Sequence, residues 1–389
     1  QLKQQLLEQE KGLLQEIKRE TQIDAQIWAA RSIATVFDKL KLPYKRTEKT
    51  NAPSFTKNFL QEHEHPLVKK IAKAREINKA HTTFIDTILR YEHKGRIHAD
   101  INQIRSDQGG TVTGRFSYSN PNLQQIPARN KDLGPLIRSL FVPESGCEWG
   151  CFDYSQQEPR LVVHFAATTA GIKEDQSVKE IVDNYSNNDI DFHKTVADMA
   201  GISRIQAKTI NLGLFYGMGK AKLQAELGLS TKQEAEALFN QYHDRVPFVR
   251  DLMNETSRWA SREGEIRTLL GRGCRFNKWE PAQFGMHTPM TWEDAVKKYG
   301  ENRIRRAFTY KALNKLIQGS AADMTKKSML DLYKEGIIAH IQIHDELDLS
   351  VESKEHANKI IEIMENAVKL AVPNKVDYES GKNWGDIYD

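Results

Sequence analysis

Two aspartates nearly two hundred positions apart carry the chemistry that this sequence makes available. Asp153 ends the apolar half of Glu148-Trp149-Gly150-Cys151-Phe152-Asp153-Tyr154-Ser155-Gln156-Gln157-Glu158-Pro159-Arg160, and Asp345 interrupts Ile341-Gln342-Ile343-His344-Asp345-Glu346-Leu347-Asp348-Leu349-Ser350-Val351. A carboxylate leaving a buried strand is normally hydrogen-bonded, paired or bound to a metal, because an isolated buried charge is costly. Taken singly, each is more simply a turn residue at a strand end; the repeated placement is what favours a shared role. Two such aspartates brought together could hold two hard divalent cations on oxygen ligands, and Mg²⁺ takes one or two carboxylates plus substrate phosphates. A pair of ions about 3.5–4 Å apart can stabilise both the attacking and the leaving oxygen of an in-line phosphoryl displacement. Nucleotidyl transfer and nuclease action are the two reactions this indicates.

The elements that must position these acids can be read from periodicity. The short, apolar and aromatic run before Asp153, bounded by Gly146 and Pro159, suits a buried strand. Apolar residues alternate at 341 and 343 and again at 347, 349 and 351, with a polar break at His344-Asp345-Glu346, which predicts a β-hairpin with acids at its tip. The segment Ser203-Arg204-Ile205-Gln206-Ala207-Lys208-Thr209-Ile210-Asn211-Leu212-Gly213-Leu214-Phe215-Tyr216-Gly217 predicts a helix opened by a capping box, Ser203 with Gln206. Arg204, Lys208, Leu212 and Tyr216 recur every four residues and share one slowly drifting stripe. Two cations at the positive end of a helix dipole can cradle a triphosphate, and the apolar and ring side chains beyond them could stack on sugar and base. An ordinary amphipathic helix with solvated cations has the same pattern.

Ahead of these elements, residues 1–40 have helical apolar spacing from Leu2 to Val36, and a second helical pair runs through Phe59-Leu60 and then from Pro66 to about Tyr91. A basic turn region with Pro43 and Pro53 separates them. Ile97 to Ile101 reads as a strand and Gly109-Gly110 as a turn. The hydroxyls, amides and arginines of Thr111 to Arg129 form a loop able to donate hydrogen bonds to phosphates, sugars and groove edges.

At 389 residues and 44.6 kDa, two or three subdomains are expected. Hydrophobic residues make up 39% and charged residues 28%, as in a soluble globular protein, and no apolar run approaches the ~20 residues of a membrane span. Cys147, Cys151 and Cys274 are an odd count without a CxxC pair, which argues for a reducing compartment and against a disulfide framework or zinc site. The net charge of +4 is uneven: residues 1–90 hold 17 Lys and Arg against 11 Asp and Glu, and the remainder 39 against 41. A basic lobe beside an acidic centre fits a polyanion grip around a cation-dependent site, and a solvated lysine-rich face fits the charge equally well.

Asp153-Tyr154-Ser155-Gln156-Gln157-Glu158-Pro159-Arg160, the Arg204-x3-Lys208-x7-Tyr216-Gly217 helix and Gln342-Ile343-His344-Asp345-Glu346 resemble, in order and spacing, the three polymerase motifs of family A (DNA polymerase I-like) DNA polymerases. Thr113-Gly114-Arg115 through Arg129 resembles that family's primer-template loop, and Gln318-Gly319-Ser320-Ala321-Ala322-Asp323 its motif before the last hairpin. The resemblance runs from about residue 40 to the C-terminus. It implies an α+β right-hand polymerase fold with an antiparallel-sheet palm (91–163 and 303–389), helical fingers (164–302) and a helical thumb (1–90). The activity implied is template-directed addition of dNTPs to a primer 3′-hydroxyl by two-metal-ion nucleotidyl transfer, releasing pyrophosphate. Asp153 and Asp345, with the backbone carbonyl of Tyr154, are then ligands of two Mg²⁺, for which Mn²⁺ may substitute, and Glu346 supports them. His193, Arg204 and Lys208 hold the triphosphate, Glu158 lies under the sugar, and Leu212 and Tyr216 face the nascent pair. Arg115, Asn122, Gln124, Gln318, Gln342 and His344 contact the primer-template, largely from the minor groove, whose acceptors are nearly common to all base pairs.

Departures from the family pattern are also visible. Leu212 stands where the family usually has Phe or Tyr, Gln157 and Pro159 where Ile and Leu are common, and Lys278 to Gly300, with Trp279, Pro281, Phe284, Pro289 and Trp292, resembles an insertion. A similar leucine and added segments occur in phage-like members, so the cytoplasm of a bacterial or phage-infected cell is the expected setting, with an organelle as the alternative. The chain begins inside a helical pattern without Met, as a piece of a longer protein would, and residues 1–40 leave no room for an exonuclease. Primer extension without proofreading is therefore expected, in complex with primer-template DNA and dNTPs, without a membrane; a processivity partner is left open. Two rivals remain, a single-subunit RNA polymerase, against which Glu158 and Glu346 argue, and a catalytically idle DNA-binding module.

Overall fold

A computed structural model describes residues 1–107, 109–127, 130–187, 190–215, 224–283, 285 and 287–387. The chain forms two compact units, one of residues 1–101, 118–142 and 381–389 and the other of 102–117 and 143–380. In the first unit the helix Leu2–Thr21 packs along Pro66–Lys79. The fully buried Ile17, Ile33, Val36, Phe37, Val68 and Ile71 make its core, in which Phe37 packs against Tyr44, Phe55 and Phe59. Helix Pro66–Lys79 starts with Pro in its first turn, where the missing N–H costs nothing, and continues through a π-helical turn at Ala80–Ile85 into Asp86–Tyr91. The expected second helical pair is therefore present, with Lys57–Glu62 as its first member and Pro66 to Tyr91 as its second. Within this unit Leu133–Arg138 lies against Trp384–Ile387, and Arg138 covers the Trp384 ring at 4.4 Å.

The second unit is built on a four-stranded sheet in the order Ile341–Ile343, Glu346–Val351, Glu148–Tyr154, Val376–Gly381. Its first two pairings are antiparallel, with Gln342 opposite Leu347, Glu346 opposite Asp153 and Asp348 opposite Cys151. Because alternate residues face opposite sides, Phe152, Leu347 and Leu349 join Tyr154 and the helices in one apolar cluster, while Cys151, Asp153, Glu346 and Asp348 share the other face. Gly150 is required where the strands meet, since a Cβ there would lie 2.4 Å from the Val351 side chain. Gln157–Thr168 and Lys354–Asn366 both pack on the 23-residue helix Ala312–Lys334. The same core takes in Phe192 and Val196, Ala207 and Ile210, and Tyr242, Phe248 and Leu252, from the helices Phe192–Ala200, Arg204–Phe215, Lys232–Arg245 and Pro247–Glu263.

Two expectations are refined. The single strand expected over 97–101 is two short ones, Arg96–Ile97 and Asp100–Asn102, broken at His98-Ala99. The stretch expected to be an insertion carries two elements: Trp279–Pro281 pairs with Ile304–Arg306, and Trp292–Tyr299 is a helix capped by Thr291; Phe284 lies outside the described residues.

Candidate active site

The hairpin and the central strand place the two acids as the alternation required. Ile341–Ile343 and Glu346–Val351 pair across a turn that holds His344, in the left-handed region at φ 57°, and Asp345. The backbone oxygen of Asp345 accepts from the Tyr154 N–H at 3.3 Å, which ties the turn to the end of the strand bearing Asp153. Glu346 is the cross-strand neighbour of Asp153 and begins the second strand of the hairpin. Burial and the nearby charge of Asp345, with Glu346, Asp377 and Glu379 behind it, push the Asp153 carboxyl up to about 8. Burial also pushes Asp345 up to about 6, Arg115 opposing and Glu158 and Glu346 adding to the rise.

These carboxylates fit a hard divalent cation. Asp153 Oδ1 is buried without a hydrogen-bond partner among the described residues, and the donors gathered around it are oxygens that repel one another. Asp153 and Asp345 would hold such an ion. The tyrosine side chain is occupied elsewhere: Tyr154 is buried, and its hydroxyl reaches Ser328 and the Met364 carbonyl, both at 2.5 Å. One step along the strands, Cys151, Glu346 and Asp348 bring a thiol and two carboxylates within 4.8 Å of one another. Burial and those two carboxylates push the Cys151 thiol far up, so it stays protonated.

Arg115, Gln342 and His344 line one small cavity with Phe116, Thr325 and Lys326. Arg115 donates to Glu158 at 2.6 Å, and Gln342 donates to the His344 backbone oxygen at 2.6 Å. Burial and the Arg115 charge hold the His344 ring below its ordinary pKa. Gln318 is half-buried on Ala312–Lys334. Asn122 and Gln124 belong to the other compact unit, where the Asn122 side chain caps the 3-10 turn Leu123–Gln125 by accepting from the Gln124 N–H. Structure therefore gathers three of the six primer-template candidates and leaves Asn122 and Gln124 in a separate unit.

The capping box at Ser203 and Gln206 forms in both directions: Gln206 N–H donates to Ser203 Oγ at 3.2 Å and Ser203 N–H to Gln206 Oε1 at 3.0 Å. Arg204 binds Asp191 at 2.6 Å, the residue that caps Phe192–Ala200, and Lys208 is exposed one turn on. His193 lies beside them: burial pushes it down to about 4, with Asp191 opposing and Lys208 and Arg204 assisting. Leu212 is half-buried on the same helix; Tyr216 lies outside the described residues.

Two contributors carry no sequence signal that pattern reading could find. Gln156, left-handed at φ 53°, donates to the Ile190 carbonyl and accepts from the Phe192 N–H, fastening the start of the His193 helix to the turn after Asp153. Arg272 joins three segments: it bonds Asp323 at 3.0 Å, the Thr113 carbonyl at 2.8 Å and the Gly319 carbonyl at 2.9 Å. Its guanidinium explains two glycines of the motifs, because a Cβ at Gly114, where φ is +86°, would lie 2.6 Å from it, and one at Gly319 would lie 3.1 Å from it.

A four-stranded sheet, antiparallel in its first two pairings and with two acids at one end, shares its compact unit with a capped cationic helix, and the fold is the α+β right hand of polymerases. A family model described as DNA polymerase family A matches residues 1–386, and the chain belongs to that family. The sequence is 33% identical over 403 residues to a DNA-directed DNA polymerase of Pseudomonas phage M6, covering 92% of this chain and 57% of the phage protein. It is 35% identical over 370 residues to the thermostable DNA polymerase I of Thermus filiformis, covering 90% of this chain and 40% of that protein. The chain thus spans between two-fifths and three-fifths of these relatives. Among solved structures, the POL domain of Pol1 from M. smegmatis, in complex with DNA primer-template and dNTP, superimposes with a TM-score of 0.75 at 26% identity, over 100% of this chain and 66% of that one. No helix among the described residues is long and apolar enough to cross a membrane.

Proposed function

We propose that this chain is a template-directed DNA polymerase that adds dNTPs to a primer 3′-hydroxyl. The observation that carries the reading is the approach of Asp345, in the hairpin turn, to the end of the strand bearing Asp153: the Tyr154 N–H donates to the Asp345 backbone oxygen at 3.3 Å, both acids are half-buried, and the charge of Asp345 helps raise the Asp153 carboxyl. In the reaction the 3′-oxygen bonds to the α-phosphorus, the bond from that phosphorus to the bridging oxygen breaks, and pyrophosphate leaves with the proton lost from the hydroxyl. Two divalent cations, Mg²⁺ or Mn²⁺, when held by Asp153, Asp345 and the Tyr154 carbonyl with Glu346 in support, supply positive charge for the attacking and leaving oxygens. Arg204, Lys208 and His193 bind the triphosphate, and the Asp191 pairing keeps the Arg204 fork oriented before nucleotide arrives. Glu158, fixed by Arg115, sits under the sugar and excludes a 2′-hydroxyl, while Leu212 and Tyr216 bound the nascent pair. Arg115, Gln342 and His344 follow the primer-template in one place, and Asn122, Gln124 and Gln318 add contacts elsewhere. In this reading residues 1–90 are the thumb, 91–163 and 303–389 the palm and 164–302 the fingers.

The direct test is extension of a primed template with each dNTP and each rNTP in turn. Extension with dNTPs alone supports the proposal; equal use of rNTPs favours an RNA polymerase, and no extension in Mg²⁺ or Mn²⁺ leaves only a DNA-binding role. Leu212 adds a narrower expectation. It offers no ring hydroxyl to take the place of a missing 3′-hydroxyl, so dideoxynucleotides should be used at least about tenfold less well than dNTPs. A competition assay on one template checks this, and equal use would refute it.

A further inference from the structure

We infer that Asn211 and Tyr242 are positioning residues which decide where the proton sits on His193, leaving Nε2–H as the donor offered to the incoming triphosphate. The inference rests on the proposed role of His193 and adds the means by which its ring is prepared. Asn211 and Tyr242 are both fully buried, on the helices Arg204–Phe215 and Lys232–Arg245. The Tyr242 hydroxyl donates to Asn211 Oδ1, and Asn211 Nδ2 lies 3.1 Å from His193 Nδ1. An amide nitrogen only donates, so His193 Nδ1 must accept, and a neutral imidazole that accepts at Nδ1 carries its hydrogen on Nε2.

Turning the amide round would offer Oδ1 to a protonated Nδ1, but would make the Tyr242 oxygen an acceptor. Its own O–H would then have no acceptor among the described residues in a fully buried place, a costly state. The tyrosine therefore holds the amide, and the amide holds the ring. The charged groups acting on the ring are Asp191, which favours an imidazolium, and Lys208 and Arg204, which oppose it; burial opposes it as well. A neutral ring presenting Nε2–H suits a phosphate oxygen, whereas the other neutral form would set a lone pair against it.

The first measurement is the two-bond ¹⁵N–¹H correlation spectrum of histidine-labelled full chain at pH 7.5, with His193 assigned by its loss in His193→Gln. The expected pattern is an unprotonated Nδ1 and a protonated Nε2; protonation at Nδ1 overturns the inference without need of any further variant. Tyr242→Phe should mix the two ring forms and raise the dNTP KM about tenfold more than it lowers kcat. Asn211→Asp sets a carboxylate against Nδ1, and should make the dNTP KM depend more steeply on pH between 6 and 9 than it does in the unaltered protein. A Tyr242→Phe protein with an unmixed ring signature, or an Asn211→Asp protein with no steeper a profile, counts against the inference. If the ring carries the expected proton but His193→Gln leaves the dNTP KM unchanged, the proton assignment stands and the triphosphate reading of His193 fails.

Discussion

Asp153→Asn should lower primer extension by about 10³-fold or more and at the same time make the metal-free protein harder to unfold. The loss of activity follows from removing one of two carboxylates proposed to hold the cations, whose charge stabilisation of several kcal/mol corresponds to several decades in rate. The gain in stability follows from the folded Asp153 carboxyl, pushed by burial and by Asp345 from 3.8 up to about 8. In an unfolded chain this acid releases its proton at the ordinary value, so between the two values the folded protein binds more protons, and metal-free stability falls as pH rises through that window. Asparagine carries no charge and removes the penalty. On the order of 2 kcal/mol, or about 2–3 °C in Tm for a chain of this length, is expected at pH 7.5 with chelator present. Melting curves of both proteins at pH 5.5 and 7.5, with and without Mg²⁺, check the sign. The gap should shrink at the lower pH and shrink again when Mg²⁺ stabilises the unaltered protein; a variant that melts lower in chelator at pH 7.5 would contradict the account.

Arg272→Ala should be the most destabilising single change near the site that touches no proposed ligand. It strands Asp323, which is 7% exposed, and releases the Thr113 and Gly319 carbonyls together. Breaking a buried pair typically costs about 3–5 kcal/mol, and the partial exposure of the guanidinium reduces this to roughly 2–3 kcal/mol, or about 2–4 °C for a chain of this length. Arg272→Lys should recover only part, since an ammonium cannot reproduce the fork across three acceptors. Because Thr113 stands two residues before Arg115, the same variant should loosen the Arg115–Glu158 pair and show a larger loss of primer extension below its melting range than stability explains. Thermal melts and extension assays at 20 °C measure the two effects separately; a shift under about 1 °C would dismiss the role assigned to Arg272.

What could be read in advance was whatever is written in local pattern. The strand Glu148–Tyr154, the hairpin around Asp345 and the capping box at Ser203 each show a period or a cap within a dozen residues, and each formed as expected. The rest depends on which polar residues the fold buries. Asp348 alternates with Leu347 and Leu349 as a solvent-facing residue would, yet it is fully buried. Arg272 is one of 56 lysines and arginines and has no distinguishing neighbour; only the folded chain shows three carbonyl and carboxylate partners converging on it. The His193, Asn211 and Tyr242 chain draws on three helices, so no local window contains it. The break at His98-Ala99 leaves no trace in the pattern, because Ile97, Ala99 and Ile101 keep a strand-like alternation through it.

If Arg204 and Lys208 bind the triphosphate as proposed, the Asp191–Arg204 pair changes how salt should act on nucleotide capture. An arginine that already has an internal carboxylate partner meets a phosphate by trading one anion for another, so few condensed ions are gained or lost in the swap. Lys208, exposed one turn along and with no carboxylate partner among the described residues, would make no such trade and would give up loosely held counterions on engaging a phosphate. Raising ionic strength should therefore erode the Lys208 share of the binding first, leaving the Arg204 contact as the salt-resistant remainder.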